Sequence, residues 1–102
     1  MLELRPSCEN CNRALPPATA EAWICSFECT FCGDCVEQVL FNVCPNCGGG
    51  FMPRPVRPAK KLKGDAYLGK HPASTKEKHR PVDREAHEKF AAPIKGIPPE
   101  KR

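Results

Sequence analysis

The residues of this chain best equipped for chemistry are eight cysteines between Cys8 and Cys47, spaced C-x2-C-x13-C-x3-C-x2-C-x2-C-x8-C-x2-C. Thiolates are soft ligands that suit zinc, and a C-x2-C step brings two sulfurs to one ion from a tight turn. Eight thiolates complete two tetrahedral sites. Four protein ligands leave no coordination position for a substrate, so such sites build scaffolds rather than catalyse. The ions can be shared out in two ways. Sequentially, Cys8, Cys11, Cys25 and Cys29 hold one ion, and Cys32, Cys35, Cys44 and Cys47 the other. In the interleaved arrangement, Cys8, Cys11, Cys32 and Cys35 form site one, and Cys25, Cys29, Cys44 and Cys47 form site two. Spacing alone excludes neither.

Disulfides are the competing use of so many cysteines, and the redox compartment chooses between the two. The opening Met1-Leu2-Glu3-Leu4-Arg5-Pro6 has neither the basic nor the apolar region of a secretory signal, and no run is long enough for a membrane span. A cytoplasmic location is therefore expected, and with it two Zn²⁺ in place of S–S bonds. Thioredoxin-like redox chemistry at a Cys-x-x-Cys needs a βαβ setting that the chain does not offer.

Short elements must position these thiols. Leu4 to Leu15 reads as a metal knuckle turning at Cys8-Glu9-Asn10-Cys11. Ala22 to Phe27, rich in β-formers, predicts a strand, with Glu28-Cys29-Thr30 pairing back as a second. Gly33 to Phe41 predicts a helix, N-capped by Asp34, with Val36, Val39 and Leu40 on one face. Cys44-Pro45-Asn46-Cys47 makes another knuckle, and Gly48-Gly49-Gly50 ends the unit. The expected core is Leu15, Trp23, Ile24, Phe27, Phe31, Val36, Val39, Leu40, Val43 and Phe51. So few side chains cannot hold a domain of about 50 residues by themselves; domains of this size commonly rely on metals or disulfides. The metal-free head is expected to be unfolded.

The cysteine spacing resembles the RING-type cross-brace. Phe31 before Cys32, the Val36–Leu40 helix and the closing Cys44-Pro45-Asn46-Cys47 extend the likeness, with Cys29 standing where most members have histidine. That resemblance implies the interleaved ligand sets and a small α+β zinc-stabilised domain, a RING-like cross-brace with a short β-hairpin and one helix over residues 1–51. The opening Leu2-Glu3-Leu4-Arg5-Pro6-Ser7-Cys8-Glu9, the core Ile24-Cys25-Ser26-Phe27-Glu28-Cys29-Thr30-Phe31-Cys32 and Pro72-Ala73-Ser74-Thr75 resemble a narrower group. This is a family of small bacterial Cys-rich proteins catalogued as domain of unknown function 1272, which implies a bacterial cytosolic protein and no particular activity.

Residues 52–102 differ in kind. They hold eight of the twelve prolines, no cysteine, and fourteen basic against six acidic residues, a balance of +8. Residues 1–51 carry two basic against six acidic, a balance of −4. Eight thiolates and two Zn²⁺ would bring the loaded head near −8, a poor surface for phosphate. The tail is expected to be Pro-rich, basic and mostly disordered, extended at Pro53–Pro58, with a possible short helix over 83–92 capped by Asp83. His71, His79 and His87 are expected to be solvated rather than metal ligands.

Taken together, these features predict a non-enzymatic, structural zinc protein that acts as an interaction module for a protein partner. One alternative is nucleic-acid association through Arg54, Arg57, Lys60, Lys61 and Lys63, although such charge runs are commonly just solvated. RING-type ubiquitin-ligase-like activity is the other. It rests on fold analogy, and Glu9 and Asn10 occupy positions where family ligases usually have an apolar residue.

Overall fold

A computed structural model describes residues 1–102. Three short antiparallel strands, β1 (Ala22–Ile24), β2 (Thr30–Cys32) and β3 (Met52–Pro53), form a sheet in the order β2-β1-β3. Trp23 lies opposite Phe31 on one side and Pro53 on the other. The helix α1 (Gly33–Gln38) follows β2 directly, and α2 (Arg84–Ala91) and a 3-10 turn (Pro99–Lys101) lie in the C-terminal half. No helix is long and apolar enough to cross a membrane. The head is a small α+β unit, as its cysteine pattern implied.

Three tight reversals account for the brevity of these elements. The first knuckle closes with Cys8 N donating to Arg13 O and Asn12 N to Cys8 O, with Asn12 at φ 61°. The strand expected over Ala22–Phe27 ends at Ile24, because Cys25 O accepts from Glu28 N and Glu28 takes a φ of 66°. The return strand therefore starts at Thr30 and not at Glu28. The helix expected to reach Phe41 stops at Gln38: Phe41 and Asn42 both sit in the left-handed region, at φ 53° and 56°, and turn the chain toward Cys44. Asp34 does not cap it. Cys32 occupies the cap position without a side-chain bond, and Asp34 instead faces Arg13 at 3.4 Å. Gly33 lets the Trp23 ring pack closely on the start of α1: a Cβ there would lie 3.0 Å from the indole nitrogen, and the ring would have to shift.

The core gathers Leu15, Phe31, Val36, Leu40 and Phe51 with six of the cysteines. Phe31 and Phe51 meet edge-on, with centroids 5.5 Å apart. Leu4 and Val43 are also buried; Trp23, Ile24 and Val39 are half-buried. Phe27, expected inside, is 73 % exposed at the tip of the β1–β2 turn.

The tail departs furthest from expectation. It is laid along the head rather than left free, and the head extends past Phe51 because β3 completes the sheet. Arg54 N donates to Ala22 O, Ser74 N to Leu4 O and Arg80 N to Glu9 O. The Arg54 guanidinium, 4 % exposed, donates to the carbonyls of Arg5, Leu15 and Pro16. Arg57 donates to Leu2 O and His71 O, and Arg102 to Asn42 O and Gly48 O. The physical reason is that a head made largely of turns leaves many carbonyls without ladder partners, and the tail's donors meet them. Asp83 does cap α2, accepting from Ala86 N at 3.1 Å. His87 is buried rather than solvated, its Nε2 on Leu40 O at 2.9 Å.

Candidate metal centre

The reversals bring the thiols into two groups. Those of Cys8, Cys11, Cys32 and Cys35 all lie within 4.8 Å of one another. Cys8 and Cys11 come from the first knuckle; Cys32 ends β2 and Cys35 sits one turn into α1. Those of Cys25, Cys44 and Cys47 form the second group. Cys29 lies beside it, its thiol neighbouring those of Cys25 and Cys44. The thiols are thus gathered in the interleaved pattern, and the sequential grouping is not formed. No cysteine is in a disulfide.

The groups fit zinc in geometry and in chemistry. A Zn–S distance of about 2.3 Å makes the edge of a tetrahedral site about 3.8 Å, and the Cys11 and Cys32 sulfurs stand 3.7 Å apart. Each group could hold one Zn²⁺, giving two per chain. Burial pushes the free thiols of Cys8, Cys29, Cys35 and Cys44 up, and for Cys35 and Cys44 neighbouring sulfurs push the same way. At Cys11 burial also acts upward, but the Arg13 backbone N–H and the adjacent thiols outweigh it and lower the group. Without a cation, then, burial disfavours the thiolate at Cys8, Cys29, Cys35 and Cys44. A divalent ion is what lets four thiolates share one site.

Donors to the sulfurs complete the sites. Asn10, inside the first C-x2-C, gives its side-chain N–H to Cys35 Sγ at 3.2 Å. Asn46, inside the last, gives its own to Cys29 Sγ at 3.4 Å. Each asparagine thus reaches from one cysteine pair to the other pair of the same site. Asn46 N and Gly49 N donate to Cys44 Sγ and Cys47 Sγ, both at 3.4 Å. Such outer contacts orient ligands and tune their basicity. Sequence reasoning noted Asn10 only as a departure from the RING ligases and gave neither asparagine a role at the metal, although an Asn directly before the second cysteine of both pairs was a visible signal.

Glu9 has a different task. Its Oε2 accepts from Arg5 Nη1 at 2.7 Å and from Thr30 N at 2.7 Å, while its own N donates to Thr30 O. Glu9 is 3 % exposed. Burial works against the Arg5 charge, but Glu9 and Glu3 outweigh it and hold the guanidinium above its usual range. This ion pair pins the first knuckle to β2, so Cys8 and Cys11 meet Cys32. The three histidines lie outside both thiol groups.

On the far side of α1 an open hollow of about 400 Å³ is lined by Trp23, Gly33, Val36, Glu37, Phe41, Asn42 and Phe51.

The family model described as protein of unknown function (DUF1272) matches residues 1–57. An uncharacterised protein of Rhizobium meliloti (strain 1021) is 57 % identical over 75 residues, covering 74 % of this chain and 82 % of its own. No solved structure matches. The matched span takes in all eight cysteines, Asn10, Asn46, β3 and the buried Arg54, so the chain belongs to the DUF1272 family.

Proposed function

We propose that this protein is a non-catalytic protein-interaction module whose shape is maintained by two structural zinc ions, one on Cys8, Cys11, Cys32 and Cys35 and one on Cys25, Cys29, Cys44 and Cys47. The observation that carries the reading is the interleaving of the thiols: each group joins segments far apart in sequence, and four sulfurs close each site to substrate. The hollow beside α1 supplies a surface for a partner's apolar side chain. Its rim residue Phe41 is 38 % exposed yet held at φ 53°, a conformation that costs a bulky residue about 1–3 kcal/mol and tends to persist at functional positions.

Two observations weigh against the alternatives. Of the basic cluster considered for nucleic acid, Arg54 and Arg57 are spent on carbonyls of their own chain, leaving Lys60, Lys61 and Lys63 exposed. The first knuckle, where a RING ligase would offer an apolar contact, has Glu9 and Asn10 occupied internally.

Phe41→Gly tests the reading. Relief of the left-handed strain offsets the loss of the Lys95 contact to the ring, at 5.0 Å, and part of the loss of the ring's buried surface, so a net destabilisation of about 1–2 kcal/mol is expected. Native mass spectrometry is expected to find two zinc ions in wild type and variant. Cross-linking in cells is expected to capture a protein contact that maps to Trp23, Glu37 and Phe41 and disappears in the variant. Fewer than two zincs in the wild type, or contacts unaffected by the variant, would overturn it.

A further inference from the structure

The tail meets the head at the two metal knuckles. At the first, Arg80 N donates to Glu9 O at 2.7 Å, His79 Nε2 lies 3.0 Å from Asn10 O, and Val82 N donates to Asn10 Oδ1 at 2.9 Å. Residues 80–83 then run across a cleft of about 200 Å³ whose other walls are Glu9, Phe31, Pro45 and Asn46, so they span from one knuckle to the other. Beyond the last cysteine, Arg102 holds Gly48 O, and the side chains of Phe90 and Ile94 come within 4 Å of where a Gly48 Cβ would be.

Asn10 stands at the junction. One end of its amide donates to Cys35 Sγ and the other accepts from Val82 N. The bond to the Cys35 sulfur holds the amide with its oxygen toward the tail, and the bond from Val82 N in turn holds the amide N–H on that sulfur, an outer contact of the kind that orients a metal ligand. Charge acts in the same direction. Residues 1–51 carry −4 and residues 52–102 carry +8. These opposite charges draw the tail onto the head.

From this arrangement we infer that Asn10 couples docking of residues 79–102 to the Cys8–Cys11–Cys32–Cys35 site, making the tail a strap that slows the loss of its zinc. The inference rests on zinc occupying the thiol groups. Coupling between two binding events is reciprocal, so zinc at this site must also favour the docked strap.

The test acts on the tail and reads the metal. Val82→Pro removes the N–H that Asn10 Oδ1 accepts and leaves every cysteine in place. Native mass spectrometry of the full-length protein is expected to find two zincs, which keeps the zinc reading separate from the coupling. Zinc transfer to a colorimetric chelator is expected to be about 10-fold faster for one of the two ions, the scale of losing an outer-shell contact. Asn10→Asp retains the acceptor for Val82 N but loses the donor to Cys35, and is expected to release that ion faster as well. In the loaded wild type the amides of Arg80, Val82 and His87 should be protected from hydrogen exchange, and high salt should lessen that protection. Unchanged zinc release in Val82→Pro, or tail amides that exchange as fast as an unstructured chain in the loaded wild type, would overturn the strap while leaving two-zinc binding intact.

Discussion

Arg54 illustrates how a single side chain joins the halves of this protein. Its charge is buried, which lowers its pKa, yet no carboxylate faces it; three backbone carbonyls take its N–H groups. Arg54→Met keeps the aliphatic stem and leaves the carbonyls of Arg5, Leu15 and Pro16 unmet. Hydrogen bonds to charged groups contribute about 1.5–3 kcal/mol each, offset by the cost of burying the guanidinium, so a net loss of about 2 kcal/mol is expected. A lowered denaturation midpoint in the zinc-loaded protein checks it. In the sequence Arg54 read as one member of a basic cluster, because charge patterning does not reveal which cation will find carbonyls. Glu9 was similarly opaque: an acidic residue within a metal knuckle has no evident purpose until Arg5 and Thr30 N are seen on its carboxylate.

The elements are short because the metal geometry demands turns close to every cysteine. A strand continued to Phe27 would carry Cys25 and Cys29 apart; the turn at Glu28 keeps both on the second site and puts Phe27 in solvent. A helix continued to Phe41 would carry Cys44 away from Cys25. These truncations were not legible, since β-propensity and apolar spacing describe preferred local structure and not the closure that four sulfurs impose. α2 was legible from Asp83 as an N-cap, although the side it buries carries His87 and Ala91 rather than the expected Ala86 and Phe90. Asp83→Ala is expected to destabilise α2 by about 1 kcal/mol. Hydrogen exchange of the His87 amide should accelerate while the β1 and β2 amides stay unchanged.

At the scale of the molecule, metal is expected to decide whether there is a fold. Structural zinc contributes about 10–16 kcal/mol per site in finger peptides, which equals or exceeds the whole stability of an ordinary domain, about 5–15 kcal/mol. Chelation is expected to collapse NMR dispersion across the head. Acid should do the same, with a definite sign: protons compete for thiolates, so falling pH releases zinc, and the folded form is favoured on the neutral side. Persistent dispersion with excess chelator would count against this account. Eight thiols at this spacing already specify two four-sulfur sites, because ligand number and reach are local properties that a one-dimensional pattern records. Which pairs share an ion is decided by the tertiary structure, which gathers them in the interleaved way. Where residues 52–102 lie was beyond such a pattern. Their partners are backbone carbonyls and an asparagine amide, groups every chain possesses, and they become specific acceptors only once the knuckles have folded and aimed them outward.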